Sequence, residues 1–520
     1  MTASSASRET KHAPSDVSGY LFLYQDEGGG YDDGQRTSVP AVVPRRPNRG
    51  LRNMTLLIST VAIIFLASNI YLGLPPYAFS EFGSGSDSGS YPCQPSRVPH
   101  KPGSMAQTRA FEPIAAATFV PNDPLQTSIP IEGMTEGNKS IFKMMGHLSP
   151  YSPSPGFGVD EYPIPEGTEI VQIQMLSRHG ARYPNPDSDV AELGGRIANA
   201  SGKFNTKGPL GFLMDWKTNN ATIEVIIEAV GFSNSLAGDL NCPNTAKADY
   251  KSPVEAWIEI YLQDATSRFN NITDGLKWTL ADVYAAQKIC PLETVAYGFN
   301  RFCDLFTYEE WQSFSYSIDL SFSSGAAFHS ATGRAVGLGY QQEVIARLKN
   351  HTLGYSGSQI NTTRDGMKET FPLNQSLYFD SHDKDIISIL TAFGFRQFAE
   401  KLPVDKYPGD HEFTVSHITP FGARLDIEII KAHKSISPER DRCLEGNDTK
   451  YIHFVLNQRT IPLGKSFPEC DVNRKDGWRE PDTFLKVQEE MADEAKFDYA
   501  CFGDYPSLPY GKVTDSASPS

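Results

Sequence analysis

A histidine set between two arginines stands directly after a strand-like run. Thr168 to Leu176 reads TEIVQIQML, and Ser177-Arg178-His179-Gly180-Ala181-Arg182-Tyr183-Pro184 follows at once. In open α/β sheets ligands bind where strands end, and the guanidinium fork matches phosphate oxygens in charge and geometry. Arg178 and Arg182 are therefore expected to hold a phosphoryl group while neutral His179 attacks phosphorus and forms a phosphohistidine, dividing one difficult step into two. Gly180 allows the backbone to approach the ligand, and Pro184 stiffens the loop. Departure of the leaving group needs an acid. A second junction of the same kind, Leu377-Tyr-Phe-Asp-Ser-His382-Asp383, places Asp383 at a helix start to protonate the leaving oxygen and His382 to donate to the phosphate. Taken alone, His-Asp reads equally as a helix cap with a neighbouring histidine.

These junctions need a scaffold of alternating strands and helices. Besides 168–176, strand signals fall at Leu377 to Phe379, at Arg424 to Ile430 with Leu425, Ile427 and Ile429 alternating, and at Ile452 to Leu456. Helical spacing links Val254, Trp257, Ile258, Tyr261 and Leu262; Val336, Tyr340, Val344, Ile345 and Leu348; and Ile386, Ile387, Leu390 and Phe393. The pattern predicts an α/β body, a mixed sheet domain with a helix-rich insertion after its first strand. His147, His329, His417 and His453 have no carboxylate or thiol at metal spacing and are expected to be packing or surface histidines. Trp257, Tyr261 and Trp311 are expected in the core or at helix–sheet contacts.

SRHGARYP at Ser177 to Pro184 resembles the active-site signature of the histidine acid phosphatases, most closely the fungal phytases, and SHD at Ser381 to Asp383 is similar to their proton-donor motif. The likeness covers residues 140–505. HLSPYSPSPGFGVDEYPIPEG at His147 to Gly167, FCDLFTYEEW at Phe302 to Trp311, GYQQEVIARL at Gly339 to Leu348 and FGARL at Phe421 to Leu425 match in order. The resemblance implies an acid phosphomonoesterase with a smaller α-helical domain beside the α/β domain, needing no metal and no cofactor. By position it makes His179 the nucleophile, Arg178, Arg182 and His382 the phosphate binders, and Asp383 the general acid. It also implies disulfides between Cys242 and Cys501 and between Cys290 and Cys303.

One interval departs from the family. Only 118 residues separate Pro184 from Cys303, several tens fewer than in phytase-like members, and the stretch carrying a further phosphate-gripping arginine has no counterpart. Arg196 and Arg268 are the only arginines between Pro184 and Asn300. A charge-stabilising donor at a reaction centre is worth ~3–4 kcal/mol. Three readings follow: a gene model that skipped coding sequence, a weak enzyme, or a pseudoenzyme that binds phosphorylated ligands. The intact motifs on both flanks favour the first. A mutase-like phosphotransferase shares the Arg-His-Gly core, but the features described next argue against it.

Residues 54–74 read MTLLISTVAIIFLASNIYLGL, an uncharged run ~31 Å long as a helix, enough to cross a bilayer core. Arg45, Arg46, Arg49 and Arg52 precede it, and the positive-inside rule keeps residues 1–53 cytosolic and disordered. The expectation is a type II signal-anchored chain with its body in the secretory lumen or outside the cell, released if the anchor is later cleaved. A stalk at 75–105, a phosphatase body at 106–510 containing the shortened insertion at 185–300, and a disordered tail at 511–520 complete the division. Eight sequons lie beyond the span, at Asn138, Asn199, Asn220, Asn271, Asn350, Asn361, Asn374 and Asn447, as do all seven cysteines, which suits an oxidising compartment. The net charge of −15 excludes nucleic-acid binding by bulk positive charge. Residues 1–50 are neutral and Arg52 is the sole charge up to residue 80, so the segment from 81 onward carries −15 − 1 = −16. The expected partners are a small phosphate monoester and, through the span, a membrane.

Overall fold

A computed structural model of the chain describes residues 20–21, 140–180, 189–218, 235–297, 300–351, 353, 376–470 and 473–518. The chain separates into two compact units, Met1–Gly29 with Pro92–Ser520 and Gly30–Tyr91, and every described residue belongs to the first. The expected membrane span at 54–74 and the stalk at 75–105 lie outside the described residues. So do Asn138, Asn220, Asn361 and Asn374, whereas Asn199, Asn271, Asn350 and Asn447 are all exposed. Among the described residues no helix is long and apolar enough to cross a membrane.

The fold is mixed α/β. Five strands, β1 (Thr168–Arg178), β2 (Leu377–Ser381), β3 (Arg424–Ala432), β4 (Thr449–Leu456) and β5 (Arg459–Thr460), form one sheet in the order β2-β1-β3-β4-β5. β1 pairs parallel with β2 and antiparallel with β3. Leu425, Ile427 and Ile429 alternate along β3 as their sequence pattern requires and are all buried. Phe454 of β4 meets Phe395 at 5.1 Å and Phe484 at 5.2 Å between ring centroids, a knot that fastens helices to the sheet.

Between β1 and β2 the described residues form six α-helices: α1 (Asp189–Ala200), α2 (Ser252–Tyr261), α3 (Gln263–Asn271), α4 (Leu280–Tyr297), α5 (Tyr308–Gly325) and α6 (Gly333–Leu348). α5 starts at a capping box in which Thr307 and Glu310 satisfy each other's backbone N–H groups. Trp257 and Trp311 are buried, and Trp257 stacks on Tyr261 at 5.7 Å. The cysteine pairs Cys242–Cys501 and Cys290–Cys303 have S–S distances of 2.07 and 2.15 Å, while Cys470 is a buried free thiol whose pKa burial pushes up to about 11.

Two helices position the second junction. α7 (Asp383–Phe393) follows β2 with only His382 between them, and it ends where Gly394 takes φ 84°, a left-handed conformation that glycine adopts without strain. α6 crosses α7 at backbone contact. A Cβ at Gly337 would lie 2.1 Å from the Ser388 carbonyl oxygen, so only glycine permits the approach that fixes α7.

The tail expected to be disordered is docked instead. Ser516 donates from its backbone to Phe328 O at 2.6 Å and from Oγ to Ser330 O at 2.7 Å. Asp515 pairs with Arg334 at 2.6 Å and with Arg396 at 2.9 Å, and Val513, Ser516 and Ser518 are buried. The segment lacks apolar periodicity because its anchors belong to α6 and to the turn after α7.

Candidate active site

The register of the parallel pair sets Ser177 opposite Asp380 and Arg178 opposite Ser381. Both strands leave the sheet at one level, so the next residues, His179 and His382, become neighbours with ring centroids 5.3 Å apart at 70°. The main chain of His179 is held on both sides: its N–H donates to Ser381 O at 3.2 Å, and its carbonyl accepts from Gly422 N–H at 3.2 Å. Its Nδ1 lies 2.7 Å from the Gly180 carbonyl. A carbonyl can only accept, so Nδ1 carries the proton and the lone pair of the neutral ring resides on Nε2. That is the tautomer a nitrogen nucleophile needs.

Arg178, the last residue of β1, is 4% exposed. Its Nη1 donates to the His147 carbonyl and, at 3.0 Å, to the Thr419 carbonyl, while Nη2 meets Asp383 Oδ2 at 2.8 Å. The guanidinium carbon lies 4.6 Å from the centroid of the Phe421 ring, a cation–π contact. Asp383 opens α7, where a carboxylate suits the positive end of the helix dipole, and its Oδ1 accepts from the Lys384 N–H at 2.8 Å. Burial acts to raise its pKa. The Arg178 guanidinium, followed by His147, Lys384 and the Lys384 N–H, outweighs burial and holds the carboxyl well below the usual carboxylate range. Beneath the junction Ser177 Oγ bonds Tyr378 at 2.5 Å and donates to Asp380 at 3.2 Å, bracing β1 against β2.

Arg178, His179, His382 and Asp383 thus converge, whereas Arg182 lies outside the described residues. The two other arginines of the interval are not brought to this cluster. Arg196 pairs with Asp282 and donates to Lys277 O at 2.9 Å, and Arg268 forks onto both carboxylate oxygens of Glu310 at 2.8 Å. His329 bonds Val513 O at 3.0 Å and His453 bonds Glu428 at 2.9 Å, while burial pushes His417 down to about 4. His147 does more than the packing expected of it. Its ring does pack on Phe322 at 5.1 Å, but its carbonyl fixes Arg178 and its charge acts on Asp383. Thr419 and Phe421 were missed as well. The segments around His147 and Phe421 stood out in the sequence, but carbonyl acceptors leave no side-chain signal.

Among the described residues no group of three His, Cys, Asp or Glu side chains is placed to hold a metal ion. The cluster offers a nitrogen lone pair, a buried guanidinium, a second imidazole and a carboxyl group around one point. That set can take up a tetrahedral oxyanion, bond it covalently and exchange a proton with its ester oxygen.

A model of the histidine phosphatase superfamily, branch 2, matches residues 195–457. The chain is 26% identical over 403 residues to Phytase A of Emericella nidulans, covering 62% of this chain and 84% of that protein. It is 28% identical over 251 residues to Phytase A of Aspergillus awamori, covering 46% of this chain and 51% of that protein, about half its length. Among solved structures the phytase from D. castellii aligns with 71% of this chain and 89% of its own at 21% identity, with a TM-score of 0.49. The family match runs from within α1 through β2 and α7 to the residue after β4, more than half of the sequence, and the chain belongs to branch 2 of the histidine phosphatase superfamily.

Proposed function

We propose that the chain is a phosphomonoesterase of phytase type, hydrolysing phosphate monoesters such as inositol polyphosphates through a phosphohistidine on His179. The observation that carries this reading is the pair of imidazoles 5.3 Å apart beside the Arg178–Asp383 pair, all at the ends of two parallel strands. Membership of the superfamily and the names of the relatives support the substrate class. Nε2 of His179 attacks phosphorus as the P–O bond to the leaving group breaks, and Asp383 gives its proton to the departing oxygen. Water then attacks the phosphohistidine, its proton passes to Asp383, and the P–N bond breaks to release phosphate. Arg178, Arg182 and His382 hold the non-bridging oxygens. The helices within 185–300 form the smaller α-helical domain, shortened in this chain.

Phosphate release from phytate and from an aryl phosphate at acidic pH, together with acid-quenched labelling, tests the reading. Wild type is expected to turn over substrate and trap a labelled histidine, and His179→Ala to do neither. Equal activity in both proteins would refute it. We place the body in the lumen or outside the cell, anchored by 54–74; exposure of Asn199, Asn271, Asn350 and Asn447 supports this placement. An endoglycosidase mobility shift is expected, and its absence from protein expressed in the native host would count against it.

A further inference from the structure

The reaction proposed above requires Asp383 to carry a proton when the leaving group departs, yet its carboxylate is paired with Arg178 at 2.8 Å. The two hydrogens of Arg178 Nη1 are committed to the His147 and Thr419 carbonyls, and the Phe421 ring lies against the guanidinium. Nη2 is the end that meets Asp383. A tetrahedral oxyanion that engages Nη2 therefore sets its charge beside the carboxylate and draws off its counter-ion. Two anions sharing one cation cannot both remain ionised at little cost.

We propose that oxyanion binding at Nη2 of Arg178 loads the general acid: Asp383 loses its cation to the ligand and takes one proton from solvent, carboxylate plus H⁺ giving carboxylic acid, before any bond to phosphorus breaks. This inference rests on the active-site reading of the previous subsection and adds the order of events. Among the described residues the charged and titratable groups around the carboxyl are Arg178 at the end of β1, His147 in the turn Gly146–Leu148, Lys384 on α7 itself, His382 at the cap, and His179 beyond His382. His147 and Lys384 favour the ionised form and oppose loading, so the change of partner at Arg178 supplies the driving force. Ligand-free enzyme keeps an inert carboxylate, and only an occupied site holds a proton to give.

Sulfate is the suitable probe, because it stays a dianion at mildly acidic pH and any proton taken up belongs to the protein. Calorimetric titration with sulfate near pH 5, in buffers of different ionisation enthalpy, counts protons bound per sulfate, and competitive inhibition of wild-type turnover establishes where sulfate sits. Wild type is expected to take up about one proton more than Asp383→Asn, which binds sulfate at least as tightly because its competing charge is gone. Equal uptake in the two proteins overturns the proposal and leaves the active-site reading standing. Failure of sulfate to bind either protein refutes that reading and the proposal with it. Should the variant not fold, wild type alone decides: sulfate affinity rises ~tenfold per unit fall in pH if loading is coupled to binding, and a flat profile overturns it.

Discussion

Replacing Asp383 with asparagine removes a proton and a charge while keeping the outline of the side chain. A positioned general acid contributes ~10²–10⁴ in rate, about 3–5 kcal/mol of barrier. That contribution applies only where the leaving oxygen needs a proton. An inositol alkoxide does, and a nitrophenolate leaves readily without one. Turnover of phytate by Asp383→Asn is therefore expected to fall ~10²–10⁴, and turnover of 4-nitrophenyl phosphate by no more than ~tenfold. The structure adds a cost in stability. Arg178, 4% exposed, loses its carboxylate partner, and breaking a buried pair costs about 3–5 kcal/mol. The lower end applies, because Nη1 keeps two carbonyl acceptors and the Asp383 side chain is 15% exposed. Steady-state kinetics on both substrates, below the melting temperature measured for the variant, separate the two effects. An equal proportional loss on both substrates would refute the reasoning, since it would trace the defect to a displaced Arg178 and not to a missing proton.

Three further outcomes are expected. Asp515→Ala should destabilise by ~1–2 kcal/mol, because Arg334, 1% exposed, loses an ion pair at 2.6 Å while retaining Glu494 at 3.2 Å; an unchanged denaturant midpoint would show that the docked tail contributes nothing. His411 donates from Nδ1 to Gly409 O at 2.7 Å and from Nε2 to Asp319 at 3.1 Å; burial opposes its charge, but Asp319 and the Gly409 carbonyl raise its pKa, so its stabilisation is complete below pH ~6.5 and disappears as pH rises through the higher folded value. His417, pushed down to about 4, contributes in the opposite sense, stabilising above ~6.5 and less as pH falls towards 4; His411→Gln should flatten the alkaline limb of a stability profile and His417→Gln the acid limb, and unaltered limbs would contradict both assignments. Cys242→Ser opens a loop spanning 259 positions and should cost ~2–5 kcal/mol in an equilibrium unfolding experiment; a midpoint equal to wild type would remove the pair from the account of stability.

The first strand was legible as far as Leu176 because β-branched and apolar residues crowd it, and the structure extends it to Arg178, which delivers the site residue directly from the sheet. The alternation at 424–430 and the helix starting at Asp383 were equally clear, since each buries one face against the core. α6 was harder to read in full. Its apolar positions showed, but Arg334, Gln341, Glu343 and Arg347 are buried beside them, which hydrophobic periodicity does not anticipate when polar groups satisfy one another: Arg347 pairs with Glu343 at 2.8 Å, and Gln341 bonds Gln488 at 2.9 Å. The tail escaped because a polar segment can be held by guanidinium groups 119 and 181 positions away. At the site, side-chain chemistry marked Arg178, His179, His382 and Asp383. The Thr419 carbonyl that orients Arg178 did not show, because main-chain acceptors look alike in every sequence.

The parallel ladder between β1 and β2 spans five residue pairs, and Ser177 and Asp380 within it are 203 positions apart. A slip of one residue would reverse which faces the side chains take and part the two imidazoles. Closing so long a loop is slow, and parallel pairing rewards the chain only once the intervening helices have collapsed. The reactive geometry therefore has no precursor. Chains with native helix content and a buried core but an unformed β1–β2 pair would bind no oxyanion, so recovered turnover during refolding times the formation of this pair.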